Sequence, residues 1–240
     1  MESLQSILDE ALVEANKAST RPAIVSPSCL GNCLRKLMMM ERGYTRRPFE
    51  PITLRTFKAG YLFEDFVLDT LEKKGKLVMR QEQVEYRGIK GTLDSVVKLN
   101  EENVLFDVKS AKMSSFKYKE KEGPGEDYEM QLSFYHLALS KKLKISNIAR
   151  LFFIEKENLL VFECPVVCKD HYQKIEDKIT AVEKARLDKE LPPERDTSKK
   201  AYPCYSPNQN FKTCTCYCDF SDHCPKIMAE MKSILGGFGK

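Results

Sequence analysis

Two short runs could do hydrolytic chemistry together, Gly91-Thr92-Leu93-Asp94 and Phe106-Asp107-Val108-Lys109. Successive side chains of a strand point to opposite faces, so Asp107 and Lys109 share one face while Val104, Phe106 and Val108 take the other. The second run therefore delivers an acid and an amine together. A carboxylate ending one strand, beside acid-x-Lys on the next, can hold a divalent cation between two acids while the ammonium touches an attacking water or the phosphate. Asp-x-Lys alone is an ordinary surface ion pair, so the chemistry rests on the neighbours.

Glu64 lies on the same helical stripe as Phe57, Tyr61, Val67, Leu68 and Leu71, and a carboxylate on an apolar stripe wants a partner. Asp65 and Asp69 share the solvated side with Lys58 and Glu72 and are assigned no role. Gln131 and Tyr135 are four residues apart in a helical pattern, which places two polar tips on one face. Such a pair can bind a phosphate or orient Lys109.

Nine cysteines are a second source of chemistry. An odd number without a secretion signal favours metal binding or catalysis over a disulfide framework. Cys29 and Cys33 lie early, Cys164 and Cys168 in the middle, and Cys204, Cys214, Cys216, Cys218 and Cys224 crowd the end. Cys164 and Cys168, beside a hairpin strand, read as buried structural thiols. His136, His171 and His223 show no partner pattern, although His223 beside Cys224 could join a zinc site.

Elements must hold these residues in place. Met1 to Thr20 carries a helical Leu4/Ile7/Leu8/Ala11/Leu12 stripe, Ser26 to Gly43 reads as a loop and short helix, and Phe57 to Lys74 as an amphipathic helix closed by Gly75. From Leu77 to Lys109 the period falls to two, giving a meander of about three strands. Ser114 to Glu129, with Gly123-Pro124-Gly125, reads as a mobile loop. Tyr128 to Leu143 is helical, and Arg150 to Val167 is a hairpin turning at Lys156-Glu157-Asn158. His171 to Glu190 is a charged helix, and Pro192 to Phe211 an extended connector.

The 240 residues suffice for a sizeable core without disulfides. Hydrophobic residues make up 42% and charged residues 31%, and no apolar run nears the roughly 20 residues of a membrane helix, which excludes spanning and wholesale disorder. The acidic first 20 residues match neither a signal nor a transit peptide, so a reducing cytoplasm is expected. Net charge is +4, but seven basic residues stand against two acids between Arg35 and Lys58. A second run, Lys109, Lys112, Lys117, Lys119 and Lys121, is interleaved with Phe116 and Tyr118. Basic residues among aromatics suit a phosphate backbone and its bases, which makes Arg46, Arg47, Lys112, Lys117 and Lys119 candidate DNA contacts.

The order Gly60-x3-Glu64, Gly91-x2-Asp94, Asp107-x-Lys109, Gln131-x3-Tyr135 resembles the RecB-like branch of the PD-(D/E)XK nucleases, from about Ser26 to Cys224. Ser26 to Lys36 is similar to the amino-terminal cysteine segment of members carrying an iron–sulfur cluster, and Cys218-x5-Cys224 to their carboxy-terminal cysteines. These members include CRISPR-associated RecB-like exonucleases, AddB-type recombination nucleases and phage relatives. Many relatives carry histidine where this chain has Glu64; glutamate is a harder oxygen ligand suited to Mg²⁺.

The resemblance implies an α/β restriction-endonuclease-like core, a central mixed sheet flanked by helices, in one nuclease domain spanning residues 1–240. Its core would cover 44–190, with a cysteine clasp from 26–43 and 204–226. Glu64, Asp94, Asp107 and the Val108 carbonyl would surround Mg²⁺ or Mn²⁺, Lys109 would position or activate water, and Gln131 and Tyr135 would touch DNA or support Lys109. A 4Fe–4S cluster would take Cys33, Cys218 and Cys224, with Cys214 favoured over Cys216 as the remaining ligand and Cys204 in reserve. The implied activity is a metal-dependent deoxyribonuclease, an exonuclease on single-stranded or frayed ends. The alternative is a nucleic-acid-binding subunit of a recombination, replication or CRISPR-adaptation complex. A third reading replaces the cluster with a zinc ribbon.

Overall fold

The computed structural model describes residues 3–18, 24–194 and 218–229. They fall into two compact units, one formed by 3–18, 25–32 and 50–181, the other by 24, 33–49, 182–194 and 218–229.

In the first unit, helix α1 (Leu4–Ala18) packs on α3 (Pro51–Lys73), with Asp9 and Arg55 paired at 2.6 Å. The α3 helix starts six residues before the expected Phe57. Pro51 opens it because a proline in the first turn has no N–H to leave unpaired and its fixed φ already suits a helix. The chain leaves α3 through Gly75 at φ +63°.

Seven strands follow, β1 (Leu77–Arg80), β2 (Gln83–Tyr86), β3 (Ile89–Thr92), β4 (Ser95–Leu99), β5 (Glu102–Ala111), β6 (Ile148–Glu155) and β7 (Val161–Val167). Five form a mixed sheet in the order β1-β4-β5-β6-β7, in which only β5 and β6 run parallel. The region Leu77 to Lys109 thus holds five strands rather than three. The extra pair arises because β2 and β3 leave the main sheet as a separate hairpin, turning at Arg87 and Gly88, both at positive φ. Such two-residue turns match the natural strand twist.

Val67 and Leu68 of α3 bury against Val97, Val104, Phe106 and Val108 on one face of the sheet. Asp107 and Lys109 therefore look to the other face. That face takes α5 (Glu126–Leu139), which with α4 (Met113–Glu122) fills the crossover that the parallel β5–β6 pair requires. The stretch expected to be a loop is thus mostly helix. Its lysines and glutamates are good helix formers, and Phe116 alone anchors α4, edge-on to Phe162 at 4.8 Å. A single buried residue leaves no helical stripe to read. Helix α6 (Tyr172–Leu187) follows β7.

In the second unit, α2 (Leu34–Glu41) supplies Met39 to a core with Phe220, Cys224 and Ile227, against which Met40, Leu191 and Cys218 pack. No helix among the described residues is long and apolar enough to cross a membrane.

Candidate active site

Asp94 and Asp107 meet because β4 and β5 are antiparallel with Ser95 opposite Phe106. The buried Ser95 hydroxyl locks that register by donating to the Phe106 carbonyl at 2.8 Å. The carboxyls of Asp94 and Asp107 lie within each other's electrostatic field. Burial, then repulsion from Asp107, holds Asp94 well above the ordinary aspartate range, with Glu64 adding to the same push.

Lys109 reaches Asp107 Oδ2 at 2.7 Å, and Asp107 is 1% exposed. Burial by itself would depress the Lys109 pKa, but attraction to Asp107 and Asp94 outweighs it and the ammonium is held above the ordinary lysine range. Its Nζ also stands 5.5 Å from the centre of the Tyr128 ring. Glu64, half-buried on α3, lies within the field of Lys109 and Asp107, and burial raises its pKa against a hydrogen bond from Gln81 that lowers it. The Gln81 amide donates to Glu64 Oε1 at 2.7 Å.

Gln131 and Tyr135 are both buried and turn their polar atoms to protein partners. Gln131 Nε2 donates to Asp107 Oδ1 at 3.4 Å, Gln131 also bonds the Tyr135 hydroxyl, and that hydroxyl donates to the Thr92 carbonyl at 2.8 Å. This chain braces Asp107 and the Thr92–Asp94 segment. Gly91 makes the packing possible, since a Cβ there would lie 2.5 Å from the Pro27 ring and 3.2 Å from Tyr135.

Sequence reasoning did not find Gln81, Ser95, Tyr128 or Arg80. Tyr128 was within reach of it, three residues before Gln131 on one helical face. Arg80 binds Asp65 at 2.8 Å, Asp69 at 2.6 Å and Glu72 at 3.3 Å, so the acids given no role pin the end of β1 to α3. A cavity of about 420 Å³ opens beside Glu64, lined by Tyr61, Asp65, Arg80 and Gln81.

The expected DNA-contacting residues divide. Arg46 is exposed beside the Phe49 ring, and Lys112 and Lys117 are exposed. Arg47 instead bonds Asp222 at 2.8 Å and Ser221, and its N–H donates to the Asp219 carbonyl. Lys119 donates to the Pro124 carbonyl at 2.6 Å and sits 4.5 Å from the Tyr128 ring centre, closing the Gly123–Gly125 turn. Elsewhere in the Arg35–Lys58 run, Lys36 pairs with Asp219 at 3.2 Å, and Arg35 and Arg42 bind backbone carbonyls of the second unit.

Among the expected cluster ligands, Cys33 caps α2, accepting from the Lys36 N–H at 3.4 Å. Cys33 lies within the field of Cys218, and Cys218 within that of Cys224; burial raises the thiol pKa of both carboxy-terminal residues. Cys204, Cys214 and Cys216 lie outside the described residues. Cys168 is buried, its thiol pushed up to about 11 chiefly by desolvation. No group of three or more His, Cys, Asp or Glu side chains among the described residues is drawn together as a metal cage. The acids of the first unit are linked by Lys109, which pairs with Asp107 at 2.7 Å. The carboxylates of Glu64, Asp94 and Asp107 are donors of the hard-oxygen kind that Mg²⁺ and Mn²⁺ take.

None of the curated proteins matches the chain. Among solved structures it is similar to SSO0001 (15% identity, 93% of this chain and 97% of that one, TM-score 0.48). It is also similar to an alkaline exonuclease from Laribacter hongkongensis (14%, 73% and 91%, 0.48) and a phage-related exonuclease from Haemophilus somnus (15%, 67% and 92%, 0.43). Residues 6–225, covering Glu64, Asp94, Asp107 and Lys109 on their mixed sheet, match the model of the PD-(D/E)XK nuclease superfamily, and the chain belongs to that superfamily.

Proposed function

We propose that the protein is a metal-dependent deoxyribonuclease that hydrolyses phosphodiesters, acting as an exonuclease on single-stranded or frayed ends. The observation that carries this reading is the contact of Asp94, Asp107 and Lys109 at adjacent strands of a nuclease-superfamily sheet. Glu64, Asp94, Asp107 and the Val108 carbonyl would hold Mg²⁺ or Mn²⁺, which when bound polarises the scissile phosphate as a Lewis acid. Lys109 keeps its proton near Asp107 and lies ready to stabilise negative charge developing at phosphorus. Gln131 fixes the Asp107 carboxylate, and Tyr135 fixes the backbone that leads into Asp94. Tyr128 gives the ammonium a fixed aromatic wall.

The second unit is read as the seat of a 4Fe–4S cluster on Cys33, Cys218 and Cys224, with Cys214 or Cys216 completing it. Support comes from the gathering of Cys33 with Cys218 and Cys224, about 185 residues apart in sequence, in one unit; burial raises the Cys218 and Cys224 thiols, with Lys36 and Arg35 respectively opposing that rise. Anaerobic purification tests it: iron content near four per chain with a broad visible absorption is expected, and colourless zinc-loaded or metal-free protein would overturn it. The nuclease reading is tested with end-labelled single-stranded and blunt duplex DNA in Mg²⁺ or Mn²⁺. Stepwise shortening of the single strand is expected. Intact DNA bound without cleavage would favour a subunit role in a larger complex.

A further inference from the structure

We infer that Gln81 is a positioning residue that sets Glu64 against Asp94, a role that rests on the metal-site reading above. Gln81 follows β1 and holds two partners at once. Its amide donates to Glu64 Oε1 at 2.7 Å, while its backbone N–H donates to the Asp94 carbonyl at 2.9 Å. One residue therefore ties the α3 carboxylate to the segment that carries the second acid.

The local backbone shows how this bracket is built. Gln81 stands at φ +50°, a left-handed conformation that glycine or asparagine takes at less cost. Glutamine adds what neither offers, a side chain long enough to reach α3. The bracket is anchored on both sides. The preceding Arg80 is held by Asp65, Asp69 and Glu72 of α3, and the following Glu82 accepts from the Leu93 N–H at 3.0 Å. Glu64 and Gln81 both line the cavity of about 420 Å³, so the amide meets the carboxylate at a solvent-accessible edge.

Groups that orient metal-binding carboxylates typically change metal affinity about 10–100-fold when removed. The Gln81 side chain is exposed, which places it at the low end of that range. Its contribution lies in preorganisation, because water can satisfy Glu64 but cannot fix its direction.

Two substitutions separate the side chain from the turn. Gln81→Asn keeps the left-handed turn, but its amide stops about one carbon–carbon bond, roughly 1.5 Å, short of Glu64. Gln81→Met keeps the length and lacks the donor. Mn²⁺ binding is measured by calorimetry on the full chain, alongside thermal melting, with Asp94→Asn as the reference lacking the site. The expected result is Mn²⁺ affinity about tenfold weaker in both Gln81 variants, with melting temperatures of the metal-free proteins unchanged in Gln81→Asn. Wild-type affinity in both variants overturns the role of Gln81 and leaves the metal site standing. Absent Mn²⁺ binding by the wild type, or binding that Asp94→Asn does not weaken, overturns the metal-site reading and the Gln81 role with it.

Discussion

Lys109 and Asp107, two residues apart on one face of β5, form a 2.7 Å ion pair in which the acid is almost fully buried. The pair is the product of strand alternation and of the apolar Val108 between them, which faces α3. It keeps a positive charge beside the acids whether or not a cation is present. Lys109→Ala is therefore expected to lower turnover about 10²–10³-fold, the usual loss for one charge-stabilising donor, while Mn²⁺ affinity is retained. Single-turnover cleavage with a parallel binding titration separates the two effects.

Asp94 titrates above its ordinary value of 3.8, and an acid whose folded pKa is raised binds its proton more tightly in the folded chain than in the unfolded one. Its contribution is a stability that falls as pH climbs from near 3.8 through the raised folded value. Metal-free wild type should accordingly lose melting temperature across that window more steeply than Asp94→Asn. Metal affinity should run the opposite way and rise with pH, since the ion displaces the proton. Melting curves over a pH series, with chelator and with Mn²⁺, check both slopes.

Gly91 and Gly60 should respond oppositely to alanine. At Gly91 the new Cβ meets the rigid Pro27 ring at 2.5 Å, and the shift it forces should cost about 1–3 kcal/mol and disturb the neighbouring Tyr135 brace. At Gly60, inside α3, the Cβ meets only Ser110 Oγ at 3.6 Å, so Gly60→Ala should gain up to about 1 kcal/mol from helix propensity. Chemical denaturation of both variants measures the difference in sign.

Arg46 and Arg47 are adjacent in the chain yet differ in their contacts, Arg46 lying exposed beside Phe49 and Arg47 bound to Asp222 and Ser221. Arg46→Ala should reduce the salt slope of DNA binding by about one without altering stability, as for one lost phosphate contact. Arg47→Ala should chiefly lower stability, because it strips partners from Asp222 and Ser221. Binding isotherms across a salt series, beside melting curves, distinguish them.

The acid-x-Lys strand was legible because period two over Val104 to Lys109 assigns faces without further information. That Asp94 sits against Asp107 was not. It depends on the β4–β5 register, set by a two-residue turn with Asn100 and Glu101 both at positive φ, a conformation unusual for glutamate. The helix α4 was hidden behind a single buried phenylalanine. The charge of the Arg35–Lys58 run was visible, but its partners were not: the acids and carbonyls that absorb Arg35, Lys36, Arg42 and Arg47 come from residues 185–223, more than 140 positions along the chain. Charge density in a sequence shows where cations are, and only the fold shows which are already spoken for.

Cleavage of end-labelled single-stranded DNA by wild type and by Asp107→Asn, side by side in Mn²⁺, tests the central claim most directly. Asp107 is the one acid in contact with Lys109, Asp94 and Gln131 together, and asparagine fills its space without its charge. The wild type should shorten the DNA only when the metal is present, and Asp107→Asn, checked to be folded by circular dichroism, should leave it intact. Equal cleavage by the two proteins, or wild-type cleavage that persists in chelator, would contradict the account.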